Sequence, residues 1–299
     1  MNEEDVSGTA APQFMIYGAN GYTGALTARM AVERGLTPIL AGRNAEEIER
    51  LAAELNLPYR LFDLEEPGII DSAIGGVAAI LHCAGPFWRT SRPMADACLR
   101  NGIHYIDITG EIEVFEALAA RYTEARQAGV MLLPGAGFDV VPTDCLAAHL
   151  QRRLPSATHL TLGFQALSGI YRGTAKTMVE QMAKGASGCV RRNEVLTQVP
   201  AAWKTREIDF GDGPTFAMTI PWGDVSTAYH STGIPNIEVY MATAPHLAGA
   251  AVVGRYLGWV LGLGIVQRLI KKRIEAGPMA PSDEERYGSK SLLWGMVED

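Results

Sequence analysis

Several things are scarce in this chain of 299 residues, and each scarcity narrows what it can be. Its four cysteines, Cys83, Cys98, Cys145 and Cys189, lie far apart with no C-x-x-C pair. Neither a zinc site nor a disulfide framework has the spacing it needs, so they read as reduced, mostly buried thiols and no metal is expected. Basic charge is short as well: 26 Lys and Arg stand against 33 Asp and Glu, a net charge of -7. That argues against a nucleic-acid partner, because phosphate backbones are bound by clustered basic surplus. The first dozen residues, MNEEDVSGTAAP, have neither the basic start nor the apolar run of a secretory signal. They read as a loose tail (1–12) on a cytoplasmic protein. What remains, 47% hydrophobic and 20% charged, is an ordinary globular composition, long enough for two domains.

What is present begins with FMIYGANGYTG, residues 14–24. An apolar run breaks into Gly18, Gly21 and Gly24, spaced three apart, and continues into an amphipathic helical segment from Ala25 to Glu33. A strand ending in glycines lets backbone approach a diphosphate, and the following helix aims its free N–H groups and positive dipole end at the same place. Asn20 stands where the common G-x-G-x-x-G fingerprint has its second glycine, so the triplet alone is a weak signal; its place after a strand and before a helix strengthens it. The alternative is a tight turn that only packs a helix on a strand. On the nucleotide reading Asn20, Tyr22 and Thr23 share the binding turn with the glycines.

Apolar runs then recur at 38–41, 59–62, 78–83, 104–108 and 130–134, with helical patterns at 45–55, 91–101 and 114–127. Short runs without alternation are what strands buried on both faces look like. The expected fold is α/β: a doubly wound parallel sheet (Rossmann) over 13–154, with a second, smaller α+β substrate and dimerisation domain over 155–299. Ligands of such sheets lie across the C-terminal strand ends. After the second strand comes Arg43, about twenty residues past the glycines, where an NAD enzyme carries a carboxylate for the ribose. A guanidinium there suits the 2'-phosphate of NADP. Asp63, after the third strand, is placed for the adenine end or is a plain turn former. Cys83, Ala84, Gly85, Pro86 and Phe87 read as a wall beside the middle of the cofactor. Thr109, Gly110 and Glu111 read as flanking the nicotinamide, together with the PGAGFD run at 134–139.

These residues resemble the saccharopine dehydrogenase-like oxidoreductases, in particular the branch that includes the mycobacterial trans-acting enoyl reductases. The matching pieces are GANGYTG (18–24), AGR (41–43), CAGPF (83–87), HYIDITGE (104–111), PGAGFDVVPTD (134–144) and WGDVSTAYHSTGIPNIEVY (222–240). The resemblance implies an NADP-binding Rossmann domain, an inserted substrate domain on a mixed sheet, and hydride transfer to a C=N or activated C=C bond. The chain departs from it in two places. Arg172-Gly173-Thr174, followed by Lys176, stands where the enoyl reductase pattern carries two adjacent glycines. Relatives are also expected to continue past a strand such as SLLWGMV (291–297).

In the second half, strands are expected at 159–167, 215–220 and 236–242, and a helix at 174–184. Hydride transfer needs a proton source besides the cofactor. None of the ten tyrosines has a lysine four residues later, so the Y-x-x-x-K arrangement of short-chain reductases is absent. Tyr171, Lys176, Tyr229 and His230 are the candidate donors, each with a bland alternative as a capping, solvated or loop side chain; water is another. Residues 247–266 are the most apolar stretch, followed by Arg268, Lys271, Lys272 and Arg273, with Gly254, Gly258 and Gly262 four apart. Arg255 interrupts the run, which disfavours a spanning helix. It reads as a buried or homodimer-interface helix, with peripheral membrane contact through 247–273 as the other reading and a lipid-like substrate as its corollary. The rival reading of the whole chain is a non-catalytic NADP-binding sensor or scaffold.

Overall fold

A computed structural model of the chain describes residues 13–166, 187–245, 288 and 290–299. The expected tail (1–12), the helix at 174–184 with Tyr171 and Lys176, and the apolar stretch 247–273 lie outside the described residues. Among the described residues, no helix is long and apolar enough to cross a membrane.

Six strands make the first sheet: β1 (Phe14–Tyr17), β2 (Ile39–Gly42), β3 (Tyr59–Leu61), β4 (Ala79–His82), β5 (His104–Asp107) and β6 (Leu132–Leu133). Their order is β3-β2-β1-β4-β5-β6 and every pairing is parallel. This is the doubly wound order, which reverses direction beside β1. Met15 and Ile16 on β1 and Leu40 on β2 are wholly buried, as apolar strands covered on both faces must be. The helices of this half are α1 (Tyr22–Glu33), α2 (Ala45–Leu55), α3 (Pro67–Ile74), α4 (Phe87–Asn101), α5 (Ile112–Ala119) and α6 (Tyr122–Ala128). Asn44 caps α2 by accepting from the Glu47 amide at 3.4 Å, and Ile48, Leu51 and Ala52 turn one stripe into the core.

The periodic pattern shifts some of these bounds. α1 opens three residues before Ala25, because the extended backbone of Gly21 already serves as its N-cap. α4 starts at Phe87, directly after Pro86, and carries Pro93 inside it; the internal proline is what makes the sequence look like a later start. The stretch 114–127 divides into α5 and α6, with Arg121 as the N-cap of the second. α3 is too short, at eight residues, to show a clear period.

The second sheet has seven strands: β7 (His159–Ala166), β8 (Ser187–Arg192), β9 (Val195–Pro200), β10 (Thr205–Asp209), β11 (Pro214–Thr219), β12 (Asn236–Ala242) and β13 (Ser291–Glu298). The path runs β10-β11-β12-β7-β13, with β8 joined to β12 and β9 joined to β8. β7 and β12 are parallel and the other pairs antiparallel, so the sheet is mixed. Leu160, Leu162 and Phe164 of β7 meet Ile237 and Val239 of β12 in one core, together with Val225 and Ala228 of a helix α8 (Asp224–Thr232). A further helix, α7 (Val141–Arg153), rests on β13, where a Cβ at Gly295 would come within 2.7 Å of the Leu150 side chain.

Contacts therefore group α7 with the second unit, not with the Rossmann sheet that precedes it. The first unit is the chain through Ile108 with Ala117–Pro134; the second is Thr109–Glu116 with Gly135 onward. This division differs from a single cut after residue 154. Its cause is the apolar face that α7 lends to β7 and β13.

The β8–β9 hairpin carries no sequence signal of the usual kind. Its turn is Asn193-Glu194, both at positive φ (47° and 72°), where Asn-Gly is the common choice. A glutamate held in the left-handed region is strained, and Gly carries no such penalty. Glu194→Gly is expected to raise stability by about 0.5–1 kcal/mol, read as a higher urea midpoint; an unchanged or lower midpoint would contradict this account of the turn.

Candidate functional site

The glycine turn is built from backbone contacts. Gly18 leaves β1 at φ +80°, and its amide and that of Ala19 both donate to the Ala41 carbonyl, at 2.7 and 3.2 Å, which ties the turn to β2. A Cβ at Gly18 would lie 2.8 Å from the amide nitrogen and Cβ of Ala84, and one at Gly24 would run into the Gly18 carbonyl oxygen. No side chain fits at either point. α1 then begins at an exposed end with no side-chain cap and no acidic residue in its first turn. Among the described residues, nothing accepts from the amides of Tyr22, Thr23 and Gly24. Unpaired donors at the positive end of a helix dipole, set over a glycine cradle, fit a diphosphate.

Asn20 does not cap this helix. Its Nδ2 donates to Glu47 Oε2 at 2.6 Å, so it braces the turn against α2. Arg43 follows β2 exposed to solvent, and its guanidinium has no hydrogen-bond partner among the described residues. Asp63 is exposed after β3 and accepts from the Glu65 amide at 3.0 Å, the turn-forming role that its residue type allows. Both approach Tyr17, whose hydroxyl donates to the Phe62 carbonyl at 3.2 Å. Burial pushes the Tyr17 pKa up to about 12, with Asp63 adding to the rise and Arg43 opposing it. The Cys83 amide donates to the Tyr17 carbonyl at 2.7 Å, so the loop of residues 84–86 leaves β4 beside the glycine turn. Burial, then the charge of Asp107, pushes the Cys83 thiol up to about 12, which leaves it protonated and a poor nucleophile.

In the second unit Thr109 and Glu111 are buried, and the Thr109 hydroxyl accepts from the Glu111 amide at 3.1 Å. Gly110 abuts Asp139: a Cβ there would run into the Asp139 carboxylate. Asp139 Oδ1 and both oxygens of Asp224 are buried with no hydrogen-bond partner among the described residues. Burial raises the Asp139 pKa well above the usual carboxylate range, and the charge of Asp224 adds to the rise. Asp224 is pushed to about 7 by burial first; the nearby Thr143 hydroxyl lowers it, Asp144 raises it, and its own amide lowers it. Thr143 keeps its proton for the Val140 carbonyl, at 2.9 Å, so Asp224 gains little from it.

A second polar group centres on Glu116, whose Oε1 accepts from Arg191 and from Ser226, each at 2.7 Å. Arg191 is only 4% exposed and also donates to the carbonyls of Val225 and Glu194, at 2.7 and 2.6 Å. Its guanidinium lies 4.3 Å over the Tyr229 ring, which makes Tyr229 a packing surface. His230 is half-exposed, with Nε2 3.8 Å from Glu116 Oε1. Of the candidate donors in the described residues, His230 is thus the more accessible. Asp139 closes the PGAGFD run expected beside the nicotinamide, but neither its burial nor the approach of Asp224 is written in the sequence. Asp139 sits between Phe138 and Val140, and an acid flanked by apolar residues was the available signal; Asp224 follows Trp222-Gly223 and reads as an ordinary helix start.

Residues 14–133 match the family model described as the saccharopine dehydrogenase NADP binding domain. The chain is similar to the trans-acting enoyl reductase of Mycobacterium leprae, 31% identical over 148 residues, which is 47% of this chain and 35% of that protein. It is also similar to the saccharopine dehydrogenase-like oxidoreductase of Bos taurus, 26% identical over 191 residues, 55% of this chain and 44% of that protein. The chain therefore spans less than half the length of these two relatives. Among solved structures, the apo saccharopine dehydrogenase (L-Glu forming) of Saccharomyces cerevisiae superposes with a TM-score of 0.61 at 9% identity, covering 93% of this chain and 70% of that one. At that identity the likeness is one of fold.

The buried carboxyl of Asp224 makes stability depend on pH in a defined direction. Below the ordinary value of 3.8 both folded and unfolded states hold the proton, and the group costs nothing. As pH rises from there to about 7 the unfolded chain ionises while the folded one does not, so stability falls, by up to about 1.4 kcal/mol per pH unit, and then levels off. Asp224→Asn is expected to lose this fall, seen as a flatter dependence of the urea midpoint on pH. An equally steep dependence in the variant would contradict the assignment.

Proposed function

We propose that the chain, whose residues 14–133 match the saccharopine dehydrogenase NADP binding domain, is an NADP-dependent oxidoreductase that transfers hydride to or from a C=N or activated C=C bond of a small or lipid-like substrate. NADP is the cofactor of that domain, and when bound it supplies the hydride chemistry. The observation that carries the proposal is the uncapped start of α1 above a turn that admits no side chain at Gly18 or Gly24. There the amides of Tyr22, Thr23 and Gly24 meet the diphosphate, and Gly21 keeps the approach open. Arg43 pairs with the 2'-phosphate; its guanidinium is exposed and uncommitted among the described residues, as that role requires. Asp63 stands on the adenine side. Ala84, Gly85, Pro86 and Phe87 form a wall of the cofactor cleft.

Tyr171, Lys176 and His230 are the candidate donors of the accompanying proton by residue type. His230 is supported by its exposure and by its place 3.8 Å from Glu116 Oε1. Thr109, Gly110 and Glu111 take the nicotinamide side in this reading. The relatives named for enoyl reduction support a C=C bond as one target class, and those named for saccharopine chemistry support C=N. The same reading takes the protein as a cytoplasmic homodimer; the four-residue spacing of Gly254, Gly258 and Gly262 supports close packing of two helices. A lipid-like substrate would go with membrane-surface contact through 247–273.

A titration tests the cofactor half. NADPH is expected to bind more tightly than NADH. Arg43→Ala is expected to weaken NADPH by about 10- to 100-fold, the worth of a charge-assisted pair, while leaving NADH nearly unchanged. Equal loss for both cofactors, or none for either, would contradict the role given to Arg43.

A further inference from the structure

Beneath the cofactor wall lies a polar chain that the reading above leaves unused. His82, the last residue of β4, is fully buried, and its Nε2 lies 3.0 Å from the hydroxyl of Thr90 in the first turns of α4. The same hydroxyl reaches the carbonyls of Ala84 at 2.6 Å and Pro86 at 3.1 Å. Three neighbours compete for one hydroxyl proton, and two of them are carbonyls that can only accept. The Thr90 proton must therefore go to the loop, chiefly to Ala84, and His82 must supply its own.

This fixes the histidine. The neutral ring carries its hydrogen on Nε2 and leaves Nδ1 as a bare acceptor, and Nδ1 is the ring atom buried without a partner. The opposite tautomer would bury an unpaired N–H and strip the Ala84 carbonyl of its donor, the costlier arrangement on both counts. Burial holds the ring pKa down near 3, so it stays neutral at physiological pH and adds no charge beneath the cleft. Tyr17, Phe87 and Tyr105 stand around it with ring centroids 5.4, 5.5 and 6.1 Å away, which fixes its plane.

The position of Ala84 is what the chain controls. Its amide nitrogen and Cβ already fill the space a Gly18 side chain would need. The loop thus lies directly against the glycine turn, and a slip of Ala84 moves one wall of that cleft. Without Thr90 the Ala84 carbonyl would lose the hydrogen bond that ties it to α4, and the wall would be held only at its two ends, by the Cys83 amide on the Tyr17 carbonyl and the Arg89 amide on the Pro86 carbonyl.

We infer that Thr90, oriented by His82, is a positioning residue that locks the Ala84–Pro86 backbone against the glycine turn and so sets the geometry in which the dinucleotide is held. The inference rests on the cofactor reading, and its test separates the two. In the 299-residue chain, Thr90→Val keeps the shape and removes the hydroxyl; NADPH affinity should fall about five- to tenfold, and Thr90→Ser should restore it to within about twofold. His82→Phe keeps a ring among Tyr17, Phe87 and Tyr105 but removes the donor. The double variant Thr90→Val/His82→Phe should bind no more weakly than Thr90→Val alone, because both changes break one relay. Nitrogen-15 spectra of histidine-labelled protein, with His82 assigned by its loss in His82→Phe, should show the Nε2–H tautomer unchanged from about pH 6 to 8. Undiminished binding by Thr90→Val, additive losses in the double variant, or an Nδ1–H tautomer would each overturn the inference while wild-type binding upholds the cofactor reading. A wild-type chain that binds neither reduced cofactor would sink both, and the tautomer would still report whether the relay exists.

Discussion

Where β1 hands over to α1, two stretches of main chain come so close that neither can carry a side chain. The Gly18 carbonyl lies where a Gly24 side chain would begin, and Ala84 lies where a Gly18 side chain would begin. That closeness sets the path of α1. The helix starts abruptly and uncapped, with Tyr22 and Thr23 exposed and no acceptor on its first amides among the described residues. A Ser, Asp or Asn at the N-cap would have satisfied one of those amides at a gain of about 1 kcal/mol; the N-cap is Gly21, which has no side chain, and Asn20 before it bonds to Glu47. Stability is forgone at the point where an anion can supply the missing acceptors.

The second unit shows the same departure from local rules in a different form. Most of its core is ordinary, with Leu160, Leu162, Ile237 and Val239 packed across a mixed sheet. Against that background Asp139 Oδ1 and both oxygens of Asp224 are buried without hydrogen bonds among the described residues, and both carboxyls are pushed toward the protonated form. The Arg191–Glu116 pair is the contrasting case. It is also buried on the arginine side, but every donor direction used finds an acceptor, and Tyr229 covers its face. Charges satisfied in this way serve structure; strongly perturbed groups without partners are where chemistry is sought.

Much of the first unit was legible in the sequence because buried parallel strands show as unbroken apolar runs and phosphate turns show as glycine spacing. All six strands lie within a residue or so of the runs that announce them, except β6, of which only Leu132–Leu133 pairs. Elements without such a signature were missed. The β8–β9 hairpin turns on Asn193-Glu194 without a glycine, and α8, DVSTAYHST, is rich in residues of weak helix propensity. The site divides the same way. The glycine turn and the exposed place of Arg43 after β2 could be read from spacing, whereas Asp139 against Gly110, and His82 against Thr90, are meetings that only the fold produces.

The central claim is that the start of α1 holds the diphosphate of NADP. A crystal structure of the full chain grown with saturating NADP tests it most directly. The account predicts diphosphate oxygens within hydrogen-bonding distance of the Tyr22, Thr23 and Gly24 amides, with the 2'-phosphate against Arg43. Density for the cofactor anywhere else, or none at all in well-ordered crystals, would contradict it.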